Sequence, residues 1–243
     1  KYNKYMRLST LFIDLDDTLY PKDSGLWGAI RQRMTDYMRE QLGFPPEVIP
    51  ALRQHYFDTY GTTLRGLQLH YHVDPDRYLA YVHDLPLEKY LTPDPQLHAI
   101  LNSLPQAKWI FTNADADHAR RVLTHLRLED CFTGIIDVRA LGFLCKPHRE
   151  AYLRAMQLAG VDRPAECVLF DDAPRNLLPA HELGMVTVLV TSPAAPAPDL
   201  DEKHAATDYI LLDWKGLTSL IPALWNQTKT PPSRDSKPGE GQD

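Results

Sequence analysis

The sequence predicts an α/β fold: a parallel sheet flanked by helices, with an inserted all-helical segment. Short apolar runs at 11–13, 109–111, 168–170 and 186–190 stop at polar residues or bend into loops, as strands buried on both faces do. From about residue 108 these runs alternate with helical patterns, the signature of right-handed parallel connections. Between the first run and the second, strand signals are absent and helical periodicity dominates.

The first strand ends near Asp14. Asp23 or Ser24 then caps a helix through Trp27, Ile30, Met34, Met38 and Leu42, stopped at Gly43. A second helix runs from Pro46 to about Gly61, and shorter ones cover Arg65 to Tyr71 and Pro75 to Val82. The segment 21–93 is therefore expected to be a helical cap over the sheet edge, with 8–20 and 94–225 forming the core. Strands follow at Trp109–Phe111, Ile135–Val138, Val168–Phe170 and Val186–Val190, separated by helices beginning near Asp115, Pro147 and Pro174. Gly160 and Gly184 suit helix ends. Residues 192–198 read as a Pro-Ala linker, Tyr209 to Leu212 as a further strand and Gly216 to Trp225 as a final helix. The tail 228–243 has too little apolar surface to offset the entropy of ordering, and disorder is expected.

The 243 residues carry a formal net charge of −6, with no basic excess to suggest a nucleic-acid polymer as partner. No apolar stretch approaches the ~20 residues of a membrane helix, and residues 1–7 lack a signal-peptide core and read as an exposed arm. Three cysteines without paired spacing suit a cytoplasmic location.

Most of the chemistry gathers where strands end. The run Leu11-Phe12-Ile13 breaks into Asp14-Leu15-Asp16-Asp17-Thr18, and Cys167 to Phe170 ends in Asp171-Asp172. Carboxylates packed this closely remain ionised together only around a cation, and a divalent ion is the natural candidate. A polar turn with Asp17 or Thr18 as a cap is the plainer alternative. Trp109 to Phe111 leads into Thr112-Asn113, and Lys146 follows further on. All strand C-termini of a parallel sheet lie along one edge, so these groups are expected to share one crevice.

This ordered set resembles the haloacid dehalogenase-like hydrolase superfamily, on Asp14-Leu15-Asp16-Asp17-Thr18, Thr112, Lys146 and Asp171-Asp172. The resemblance spans roughly Leu8 to Val190 and implies a Rossmann-like core and a Mg2+-dependent phospho-aspartate mechanism. By it, Asp14 is the nucleophile and Asp16 the acid and base, with its backbone carbonyl on the metal. Thr112 and Asn113 would hold phosphoryl oxygens, and Lys146 would offset charge. Asp172 would be the third metal ligand, with Asp171 binding directly or through water. An aspartate at position 16 favours phosphatase or phosphomutase chemistry, since dehalogenases need no acid for an alcohol leaving group.

The stretches Asp14 to Pro21 and Tyr60 to Leu67 further resemble the pyrimidine 5′-nucleotidase branch. That resemblance implies a small phosphorylated substrate, a nucleoside monophosphate such as UMP or CMP, with Tyr60, Thr63 and Arg65 as cap contacts. Sugar phosphates or phosphoglycolate are the alternative substrates, and a non-catalytic binding protein is the remaining one. None of the ten histidines stands out as a ligand or base; only His70 and His72, near the cap, invite a test.

Overall fold

The computed structural model describes residues 7–192 and 206–225. Nearly all of the expected arm and of the linker, and the whole tail, lie outside them. Within the described residues six strands form one parallel sheet: β1 (Thr10–Ile13), β2 (Ala107–Phe111), β3 (Gly134–Ile136), β4 (Cys167–Asp171), β5 (Val186–Val190) and β6 (Tyr209–Leu211), in the order β3-β2-β1-β4-β5-β6. The sequential order of the strands reverses beside β1, at the crevice where ligands of open parallel sheets bind. Ile13 pairs with Ile110 on one side and Phe170 on the other. The residues that follow these three strands therefore emerge side by side.

Alternation along β1 divides the core. Leu11 and Ile13 face a cluster with Ile110, Val168 and Phe170, while Phe12 faces Phe111, Leu169, Tyr152 and Leu177 on the other side. Burying each such side chain contributes roughly 1.5–3 kcal/mol.

Between β1 and β2 come α1 (Leu26–Glu40), α2 (Ile49–Tyr60), α3 (Thr63–Tyr71), α4 (Pro75–His83) and α5 (Pro95–Ser103). Helices α1 to α4 enclose their own apolar cluster, including Met38, Ile49, Tyr56, Leu67 and Tyr78, which also takes in Val138 and Cys145. Two glycines permit this packing. At Gly66 a Cβ would lie 2.1 Å from the Tyr56 ring, and at Gly61 (φ 84°) it would lie 2.6 Å from the Lys146 carbonyl oxygen. The turn between α2 and α3 thus rests directly on the loop that carries Lys146.

Helix α5 was not anticipated, although Asp94 caps it by accepting from the Gln96 N–H and Pro95 occupies its first turn. After α6 (Ala116–Leu126) and β3, the helix expected at Pro147 begins later, as α7 (Arg149–Ala159). Lys146 therefore lies in a loop, and its Lys146–Pro147 peptide is cis. Helix α8 (Pro174–Leu183) follows β4. The expected final helix is broken into Trp214–Gly216, Leu217–Leu220 and Pro222–Leu224, because Pro222 lacks an N–H and disfavours helical backbone at Ile221.

Candidate active site

Asp14 follows the last residue of β1, and its N–H donates to the Phe170 carbonyl (2.9 Å). Its carboxylate meets the most buried cation of the site. Lys146 Nζ, 1% exposed, lies 2.8 Å from Asp14 Oδ1 and 2.6 Å from Asp171 Oδ2. Burial alone would lower the lysine's proton affinity, but the two carboxylates raise it well above the usual value. Burial raises the Asp14 pKa well above the ordinary carboxylate value; Lys146 opposes this, and the charges of Asp171 and Asp172 add to it.

The two terminal acids are held differently. Asp171, fully buried, accepts from Lys146, from the Ala173 N–H (2.9 Å) and from Asn176 Nδ2 (3.0 and 3.2 Å), so both of its oxygens have protein partners. Asp172 faces the half-exposed Lys22 (2.7 Å), and its pKa is raised by burial and by Asp171. Asp14, Asp171 and Asp172 each offer an oxygen within 4.8 Å of the others. Hard oxygen donors that repel one another in a buried site fit a hard divalent cation such as Mg2+. An unpartnered buried acceptor nearby, Asp17 Oδ1, agrees with that fit.

Asp17 adopts left-handed backbone (φ 60°), and burial together with Asp172 pushes its pKa up to about 7, with Lys22 opposing. A folded-state value above the unfolded one means that ionisation costs stability: nothing is lost below about pH 4, and the cost is complete above about pH 7. Asn tolerates the same backbone and carries no charge. In chelator, Asp17→Asn is expected to melt a few degrees higher than the parent at pH 8 and equally at pH 4. A gain of the same size at both values would show that charge is not its cause.

Thr112, 2% exposed, accepts the Ala114 N–H at Oγ1 (3.0 Å). Asn113 spends both ends of its amide on the backbone of Lys146, donating to its carbonyl (2.9 Å) and accepting its N–H (2.8 Å). It thus clamps the lysine loop to the end of β2.

Asp16 departs from expectation. Its Oδ1 accepts from Tyr20 Oη (2.6 Å) and from His118 Nε2 (2.9 Å), so the side chain is not free. Burial works to raise its pKa, but His118 and Tyr20 outweigh that, and the net direction is downward. No histidine stands out in the sequence as a ligand or base, and His118 meets the site as neither, through its hydrogen bond to Asp16. His118 is buried three residues past the α6 cap Asp115 and stacks on His83 with centroids 4.1 Å apart. Its sequence signal was position alone: the first turn of a helix that starts at the carboxyl edge of the sheet.

A cavity of about 750 Å³ opens over these groups, between the sheet edge and helices α1 to α4. Asp14, Asp16, Thr112, Asn113, Lys146 and Asp172 lie on its floor; Trp27, Arg53, Phe57 and Tyr78 are on its walls. Thr63 also lines it, whereas Tyr60 and Arg65 do not. The Tyr60 hydroxyl instead meets His70 Nε2 (2.8 Å). Helical spacing alone could not reveal which face of α2 and α3 looks inward.

Residues 8–184 match the family model described as haloacid dehalogenase-like hydrolase. Phosphate metabolism protein 8 of Saccharomyces cerevisiae is 30% identical over 192 residues, covering 73% of this chain; the match spans 60% of that relative's length. A phosphatase of that haloacid dehalogenase-like kind from Thermococcus onnurineus shares the fold at TM-score 0.57 and 19% identity, over 87% of this chain and 96% of its own. An L-2-haloacid dehalogenase from Xanthobacter autotrophicus, with chloropropionic acid covalently bound, does so at TM-score 0.54 and 18% identity, over 88% and 98%. Phosphatase and dehalogenase resemble the chain almost equally, so fold alone does not separate the two reactions.

Proposed function

This chain belongs to the haloacid dehalogenase-like hydrolases, and from that premise we propose that it is a phosphomonoesterase, acting on a nucleoside 5′-monophosphate and preferring pyrimidines. One observation carries the reading. A second carboxylate, Asp16, shares the cavity floor with Asp14, and among the described residues its Oδ2 has no hydrogen-bond partner while Oδ1 takes both donors. An alkoxide leaving group requires an acid there; a halide does not.

In the proposed sequence Asp14 attacks phosphorus as the bond to the ester oxygen breaks, and Asp16 delivers a proton to the departing alcohol. The like charge of the incoming phosphate favours protonation of Asp16, opposing the downward pull of His118 and Tyr20. Water then attacks the aspartyl-phosphate, Asp16 takes the water's proton, and Asp14 and inorganic phosphate are released. Thr112 and adjacent N–H groups orient the phosphoryl oxygens, while Lys146 balances the charge of Asp14. Asp14, Asp172 and the Asp16 backbone carbonyl would hold Mg2+, with Asp171 fixing Lys146. When bound, the ion supplies charge neutralisation for the phosphoryl group.

The segment 21–93 is proposed as the cap that selects substrate. Trp27 and Phe57 offer ring surfaces, although the Arg175 guanidinium already lies 3.9 Å from the Phe57 centroid. Tyr78 is 1% exposed with an unpartnered hydroxyl, and Arg53 Nε is likewise buried and unpartnered. Buried donors of this kind suit the carbonyl edge of a base. They replace Tyr60 and Arg65 in the proposal. Among the described residues no helix is long and apolar enough to cross a membrane, and the buried free thiols of Cys131, Cys145 and Cys167 agree with a proposed cytoplasmic location.

Phosphate release from UMP, CMP, AMP, sugar phosphates and phosphoglycolate, each with Mg2+ and with chelator, tests this reading. Mg2+-dependent preference for UMP and CMP is the expected outcome. Preference for a sugar phosphate or phosphoglycolate would overturn the nucleotide assignment, and release from none would reject phosphatase chemistry.

A further inference from the structure

Asp16 is anchored through a single oxygen. Tyr20 Oη and His118 Nε2 both reach Oδ1, at 2.6 and 2.9 Å. An ionised Asp16 can only accept, so the bond is made by a hydrogen on His118 Nε2, while Nδ1 is buried with no partner. The ring itself cannot drift. His118 is 2% exposed, and the His83 ring lies against it at an interplanar angle of 17°. His83 is confined in turn: it is buried at the end of α4, and its Nδ1 lies 3.0 Å from Asp115 Oδ1. Asp115 caps the same α6 turn by accepting the His118 N–H. Helices α4 and α6 thus hold a donor rigidly against one edge of Asp16.

We propose that His118, assisted by Tyr20, is a positioning residue for the proton transfer: by occupying Oδ1 it holds Asp16 with Oδ2 turned to the ester oxygen of the substrate. The inference rests on the phosphatase reading above. It assigns no proton transfer to His118 itself. Geometry is its content, because a carboxyl free to rotate about its Cβ–Cγ bond meets the leaving oxygen in the right alignment only part of the time. Purely structural packing of His118 would predict the same burial, but not a directed bond to the carboxylate proposed as the acid.

The test compares p-nitrophenyl phosphate with phenyl phosphate. They are similar in shape at the cavity walls, yet phenolate leaves far less readily than p-nitrophenolate and depends much more on an acid. kcat/KM reports the steps through phosphoryl transfer and excludes the later hydrolysis, in which both substrates share one intermediate. In His118→Leu, kcat/KM for phenyl phosphate is expected to fall about tenfold or more beyond the fall for p-nitrophenyl phosphate. His118→Gln, which retains an N–H donor, should restore most of the parental ratio. Tyr20→Phe removes the other donor and should shift the ratio in the same direction, which keeps the test decisive if His118→Leu does not fold. Equal losses on the two esters in every folded variant would overturn the inference. Absence of hydrolysis of either ester by the parent protein would instead overturn the phosphatase reading.

Discussion

Asp14→Asn is expected to lower turnover of every phosphate ester by about 10⁴-fold or more, the scale seen when a covalent nucleophile is removed. An amide cannot supply the attacking oxygen, and none of the surrounding acids can replace it. Asp171 is enclosed by Lys146, Ala173 and Asn176, Asp172 faces Lys22, and Asp16 is held by Tyr20 and His118. Folding should survive. Ionising Asp14 in this buried site is costly, as its upward pKa shift indicates, so removing its charge also removes repulsion with Asp171 and Asp172. Circular dichroism should match the parent and the melting temperature at neutral pH should be no lower, while phosphate release disappears. Turnover above about a hundredth of the parental rate would reject the covalent scheme. Acid quench of the parent during turnover, followed by mass spectrometry, should place a phosphoryl group on Asp14 and none on the variant.

Lys146→Met is expected to damage both stability and activity. The ammonium lies 2.8 Å from Asp14 and 2.6 Å from Asp171 with almost no solvent. Removing one partner of a buried ion pair typically costs about 3–5 kcal/mol, because the remaining charges stay desolvated and uncompensated. The sign of the pH dependence follows from the direction of the carboxylate shifts. Asp14 and Asp172 have folded-state values above their ordinary ones, so ionisation costs stability increasingly as pH rises. Losing Lys146 enlarges that cost. The drop in Tm should be greatest near pH 8, shrink toward pH 4 as these acids take up protons, and be partly reversed by millimolar Mg2+ at pH 8. A drop independent of both pH and Mg2+ would mean that Lys146 acts by packing alone. Activity should fall with it, since the phosphoryl charge then lacks its buried cation.

Much of this arrangement was legible before any coordinates. Apolar runs that stop at Asp14, Thr112 and Asp171 mark strand ends, and a parallel sheet must bring such ends to one edge. Helix α5 also carries a start signal in the sequence, Asp94-Pro95. The cap residues were harder. Thr63 lines the cavity as expected, but Tyr60 and Arg65, on the same helices α2 and α3, do not, whereas Arg53, Phe57 and Tyr78 do, because the rotation of a helix about its axis is decided by what it packs against. Gly66 beneath the Tyr56 ring and Gly61 against the Lys146 carbonyl set that rotation here.

The sequence by itself determined the sheet, the carboxyl edge where the candidate site gathers and the residue types that meet there, since strand patterning and chain direction are local properties that propagate through backbone hydrogen bonding. Only the tertiary structure decided how those groups are partnered: Asn113 clamping the Lys146 loop, Asn176 enclosing Asp171, and His118 fixing Asp16 from a helix 102 residues away. Such contacts depend on side chains from distant segments meeting within hydrogen-bonding distance, and no periodicity along the chain encodes a separation of about 3 Å across the fold.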